Sequence, residues 1–170
     1  MLSPIDTKGF TLIELLVVLL IMGLLAGLVS AIAQPDARAL LRIEAERLAH
    51  LLNLATDESR FTGKNIRWTS DGPGYRFLRF REDTGWSEIR DNDLLRPRLL
   101  PPGIAIVDLS IESMRPQGVM RLQFTPYSPP PAFSIALSSG GAHYTVTAPP
   151  VGAARALPGE GTTHGQMPLR

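Results

Sequence analysis

Hydrophobic and polar positions divide the chain into three regimes. From Phe10 to Ala33 the polar interruptions are Thr11, Glu14 and Ser30. At about 1.5 Å per residue this makes a helix of roughly 36 Å, against a hydrocarbon core of about 30 Å. Pro35 removes a backbone donor and crowds the preceding turn, so a kink or short break is expected near Gln34. Beyond Asp36, Leu41, Ala45, Leu48, Leu52 and Ala55 step by four and three, and Leu40, Leu51 and Leu54 widen the stripe. Arg42, Glu46, Arg47 and Asp57 fall on the other face, with Arg42 and Glu46 spaced to pair. Gly63 is the stop signal.

After Gly63 the pattern changes to short β-like runs between turn formers. Strands are expected over residues 65–69, 75–81, 86–89, 104–112, 119–124, 133–138 and 143–148. Turns fall at Asp71-Gly72-Pro73-Gly74 and Glu82-Asp83-Thr84-Gly85, and Ser139-Gly140-Gly141-Ala142 reads as the turn of a hairpin. Pro97, Pro101 and Pro102 make residues 91–103 mostly loop. From Pro149 to Arg170 the chain is rich in Pro, Gly, Ala and Thr without apolar periodicity, and is expected to be a disordered tail. A long helix followed by about seven short strands predicts an α+β domain with antiparallel sheets packed on the helix.

Composition narrows the chemistry. With 170 residues, 44% hydrophobic, and a net charge of +1, the chain holds one modest domain plus its N-terminal segment. The absence of cysteine excludes disulfides, thiolate metal sites and cysteine nucleophiles. His50, His143 and His164 lie in different kinds of segment and show no metal-ligand spacing. There is no phosphate-cradling loop, nucleophile elbow or spaced carboxylate pair, so neither an enzyme nor a cofactor is expected. Asp91-Asn92-Asp93 offers the oxygen donors that calcium takes, but no spaced glutamate completes a loop, and a solvated turn is the reading. Lys64, Arg67, Arg76, Arg79, Arg81, Arg90, Arg96 and Arg98 are interspersed with Asp71, Glu82, Asp83, Glu88, Asp91 and Asp93. That mixture reads as a screened surface rather than a nucleic-acid site. Trp68, Tyr75, Phe77, Phe80 and Trp86 are expected mostly as core or half-buried sheet residues.

Glu14 is the residue that needs a reason. A carboxylate within lipid costs on the order of 2.5–3.5 kcal/mol, which makes an intramembrane acid a functional candidate. A secretory signal peptide is one alternative, because Ala31-Ile32-Ala33 fits a cleavage pattern ahead of Gln34-Pro35. Against it stand the length of the apolar run, the thin positive charge, with Lys8 offset by Asp6, and Glu14 itself. A plain membrane anchor explains the length and leaves Glu14 unexplained. A cut after Gly9 would create an α-amino group on Phe10, about one helical turn from Glu14, and so supply a cation. Gly23, Ala26, Gly27 and Ser30 either let another helix approach closely or simply make the helix flexible.

Lys8-Gly9-Phe10-Thr11-Leu12-Ile13-Glu14 resembles the class III signal of type IV pilins and type II secretion pseudopilins. The resemblance implies a leader over residues 1–9 with Lys8 holding it on the cytoplasmic side, cleavage after Gly9 by a prepilin peptidase, and N-methylation of Phe10. It further implies that Glu14 pairs with the N-terminus of a neighbouring subunit in a filament. Glu58 and Gly63 at the helix end, Ile66 and Trp68, Gly74-Tyr75-x-Phe77 and Trp86 are similar to the GspH/FimT-like family of H-type minor pseudopilins and FimT-like minor pilins. On that resemblance, residues 10–34 form a transmembrane and filament-core helix, 35–63 an amphipathic helix and 64–148 a β-rich head. The subunit is then expected in the bacterial inner membrane, single-pass, with its head in the periplasm. Its partners would be other minor pseudopilins, the major pseudopilin and the inner-membrane assembly platform. The alternative is a FimT-like minor pilin of a type IV pilus, serving in priming or DNA uptake.

Overall fold

The computed structural model describes residues 12–32, with side chains to Gly27, and residues 36–159. They fall into two compact units that divide after Asp36. The first unit contributes helix α1, Leu12–Ile32. The kink expected near Gln34 and Pro35 lies outside the described residues.

The second unit opens with helix α2, Ala37–Thr62, directly after Asp36. Its whole predicted stripe is buried: Leu41, Ala45, Leu48, Leu52 and Ala55. Leu40, Leu51 and Leu54 pack partly buried beside it. Arg42 and Glu46 pair on the exposed side at 3.5 Å. Gly63 ends the helix at φ 67°, the left-handed conformation that glycine adopts without a Cβ penalty. The fully buried Ser59 hydroxyl lies 2.8 Å from the Lys64 carbonyl oxygen and 3.3 Å from that of Phe124, fastening this last turn to the sheet.

Nine strands follow: β1 Ile66–Ser70, β2 Gly74–Arg81, β3 Gly85–Glu88, β4 Arg98–Leu99, β5 Ile104–Ile111, β6 Met120–Phe124, β7 Phe133–Ser139, β8 Ala142–Ala148 and β9 Arg155–Pro158. They form two antiparallel sheets. The first runs β3-β2-β1-β6, with β4 also paired to β2, and the second runs β5-β7-β8-β9. Both lay an apolar face against α2. Trp68 of β1, Phe77 of β2, Phe124 of β6, Ile135 of β7 and Val146 of β8 are almost fully buried in one core with the α2 stripe. A β-bulge between Ile106 and Asp108 puts Val107 outside on β5. The two-residue turn Gly140-Gly141 joins β7 to β8 in the expected hairpin, with Ser139 opposite Ala142.

Two elements correct the expectations. β4 pairs Arg98 and Leu99 with Tyr75 and Gly74 inside the stretch expected as loop. Its carbonyl comes so close that a Cβ on Gly74 would sit 2.8 Å from the Arg98 oxygen, which is why glycine stands there. The stretch expected as a disordered tail instead contains β9, paired to β8 from Tyr144↔Pro158 to Thr147↔Arg155. Asn53 holds the approach to it, donating from Nδ2 to the Ala154 carbonyl at 3.0 Å and accepting the Ala154 N–H at 2.7 Å. Residues 160–170 lie outside the described residues.

Candidate functional site

Glu14 lies in the first described turn of α1. Around it the described side chains from Leu12 to Leu25 are apolar and exposed, Leu12 at 85% and Leu24 at 67%. Lys8, Gly9 and Phe10 lie outside the described residues. Among the described residues no helix is long and apolar enough to cross a membrane. The span expected over 10–34 reaches beyond those residues at both ends.

In the head, charged side chains fasten α2 to the first sheet. Strand alternation puts Arg79 on the inner side of β2 with Tyr75 and Phe77, and it is only 8% exposed. Its Nη2 donates to Glu58 Oε1 of α2 at 2.9 Å, and its Nη1 to Asp91 Oδ2 at 2.6 Å. The Arg79 hydrogen bond holds the Asp91 carboxyl below the usual carboxylate range, against the opposing effect of desolvation. Arg79 is therefore not part of the screened basic surface expected from the sequence.

A second fastening lies lower on α2. Glu44, 3% exposed, pairs with Arg47 and stands 3.8 Å from Arg98 Nε on β4. Burial pushes the nearby Tyr75 hydroxyl up to about 12; Arg98 opposes the rise and Glu44 adds to it. Tyr75 thus stays neutral at physiological pH. Glu44 went unremarked in the sequence, although its position three residues after Leu41 puts it on the buried stripe.

The Asp91-Asn92-Asp93 oxygens are engaged by the protein. Asp91 accepts from Arg79, Asn92 Oδ1 accepts the Leu94 N–H at 3.0 Å, and Asp93 pairs with Arg96 at 3.4 Å. Among the described residues no group of three or more His, Asp or Glu side chains is placed to hold a metal ion.

The solvent side of the first sheet has a different character. Cross-strand neighbours Gln123, Arg67, Leu78 and Glu88 form one row from β6 to β3. Arg67 lies over the Trp86 ring, its guanidinium carbon 3.7 Å from the centroid, and Phe80 meets Trp86 edge-on at 5.4 Å. Trp68, Tyr75 and Phe77 are core residues as expected, while Phe80 is 40% exposed and Trp86 half-buried. Nothing in the local sequence announces the Arg67–Trp86 stack, because it joins β1 to β3 across β2.

A family model of the prokaryotic N-terminal methylation motif matches residues 6–30, and that of the type II transport protein GspH matches residues 44–152. The chain belongs to the GspH family. The GspH match begins within α2, takes in β1 to β8 and stops just before β9. Type II secretion system protein H of Pseudomonas aeruginosa is 38% identical over 77 residues, 45% of this chain and 45% of that protein. The match therefore spans less than half the length of that relative. Two structures of the minor pseudopilin EpsH from the type II secretion system of Vibrio cholerae share the α+β fold, with TM-scores of 0.58 and 0.61 at 21% identity. They cover 69% and 74% of this GspH-family chain, and 96% and 99% of their own.

Proposed function

We propose that this chain is a structural subunit, a minor pseudopilin of a type II protein secretion system, standing near the tip of a periplasmic pseudopilus that drives folded proteins across the outer membrane. One observation carries the reading: an N-terminal methylation motif over residues 6–30 precedes a GspH-type head on the same chain. In this reading a prepilin peptidase cuts after Gly9, whose missing side chain lets the enzyme reach the backbone, and methylates Phe10. Lys8 keeps the leader cytoplasmic. The subunit waits as a single-pass inner-membrane protein with its head in the periplasm. Extraction by the assembly platform then packs α1 among the helices of other minor pseudopilins and the major pseudopilin. Burial of its exposed apolar side chains favours that packing, and Glu14 meets the amine of a neighbour's Phe10.

Mass spectrometry of the mature N-terminus tests the reading. Chain purified from inner membranes is expected to begin at N-methylated Phe10. A mature start at Gln34, or an intact Met1, overturns it.

A further inference from the structure

Seen from solvent, the first sheet presents Arg67, Leu78, Phe80, Trp86, Arg121 and Gln123, the side turned away from α2. Arg76 on the same face is neutralised by Asp71 and Glu88 at 3.7 and 3.6 Å. Arg67 and Arg121 differ from it. Neither has an acidic partner among the described residues, and they sit diagonally across the β1–β6 ladder, since Arg67 pairs with Gln123 two residues beyond Arg121. Desolvation and then the neighbouring Arg121 lower the Arg67 pKa, both effects acting against its charge. Two adjacent cations, one of them held over the Trp86 ring, repel each other in the isolated head, and a carboxylate would relieve that repulsion.

We infer that this Arg67–Trp86–Arg121 face docks a carboxylate-bearing surface on the head of another pseudopilin. The inference rests on the proposed function and names the contact through which the subunit recognises its neighbour. Trp and Arg are the residue types that dominate binding hot spots, and the flat Arg67 fork stacked on Trp86 is already held in one orientation to receive a carboxylate. A second copy of this chain is a poor occupant, because a twofold contact would set arginine against arginine. Nucleic acid fits poorly too. Phosphate tracking needs a run of several cations, whereas Glu88 ends the Arg67 row and Asp71 lies beside Arg76.

The full-length chain in detergent micelles, titrated with each purified full-length pseudopilin of the same secretion system, tests this. One pseudopilin is expected to bind the wild type and to bind the Arg67→Glu/Arg121→Glu variant at least ~10-fold more weakly. Reversing an acidic residue on that partner to arginine is expected to restore affinity. Arg67→Lys keeps the charge without the fork and is expected to fall between. Arg121 is exposed and Arg67 lies outside the core, so an unchanged circular dichroism spectrum and only a small drop in thermal midpoint from the lost Arg67–Trp86 stack are expected, separating lost docking from lost fold. The inference is overturned if the double variant binds every pseudopilin as tightly as the wild type. It is equally overturned if only binding of a single-stranded oligonucleotide is lost. If no pseudopilin binds the wild type, the proposed function falls with it; a methylated Phe10 together with unaltered binding of the double variant removes this inference alone.

Discussion

At the scale of single residues, the head depends on Arg79 more than its sequence suggests. A guanidinium this buried is tolerated because Glu58 and Asp91 both reach it. Arg79→Ala strands the Glu58 carboxylate, only 21% exposed, and is expected to cost about 3 kcal/mol in urea unfolding. Asp91 adds a pH signature. Its folded pKa lies below its unfolded value of about 3.9. The stability it contributes is therefore complete above that unfolded value and fades as pH falls through the lowered folded one. Between about pH 6 and pH 3 the wild type is expected to lose more stability than Asp91→Asn, read from urea midpoints; equal losses contradict the account. The buried arginine was legible in principle. Tyr75, Phe77 and Arg79 share one phase of β2, but counted by charge alone Arg79 looked like its exposed neighbours Arg76 and Arg81.

At the scale of elements, long periodic segments were readable and short ones were not. The α2 stripe and six of the strands follow from spacing, since each buries one face against the same core, while β3 is half-buried along its length and was marked by the turn before it. β4 has two residues, too few to show a period, and it forms because Gly74 leaves room for its backbone. β9 follows Pro149, Pro150 and Gly152, and only its register against β8 makes it a strand. What orders it is Asn53, 101 residues away from Ala154 in sequence, and no local pattern reports such a pairing. Asn53→Ala leaves a buried N–H and carbonyl unpaired. It is expected to cost about 2 kcal/mol and to speed hydrogen exchange at Arg155–Leu157 selectively. Unchanged exchange there would remove Asn53 as the anchor of β9.

At the scale of the whole molecule, the proposed function assigns assembly to the N-terminal motif and the further inference assigns recognition to the GspH-type head. Glu14→Leu makes α1 more apolar, so membrane insertion and cleavage after Gly9 are expected to be normal. Incorporation is expected to fall about tenfold, the equivalent of one ion pair worth ~1.4 kcal/mol, measured as the share of subunit recovered with sheared filaments; equal recovery contradicts the pairing role. The N-terminal methylation motif was legible because it is contiguous. The Arg67–Trp86–Arg121 face was not, because its residues come from three strands. The polar fastenings along α2 have a mechanical meaning. Glu44, Asn53, Glu58 and Ser59 grip β4, the approach to β9, β2 and β6 at successive heights. A tug applied at the Ala37 end of this helix is shared among four rivets loaded in shear, so the sheets travel with the helix instead of being peeled from it.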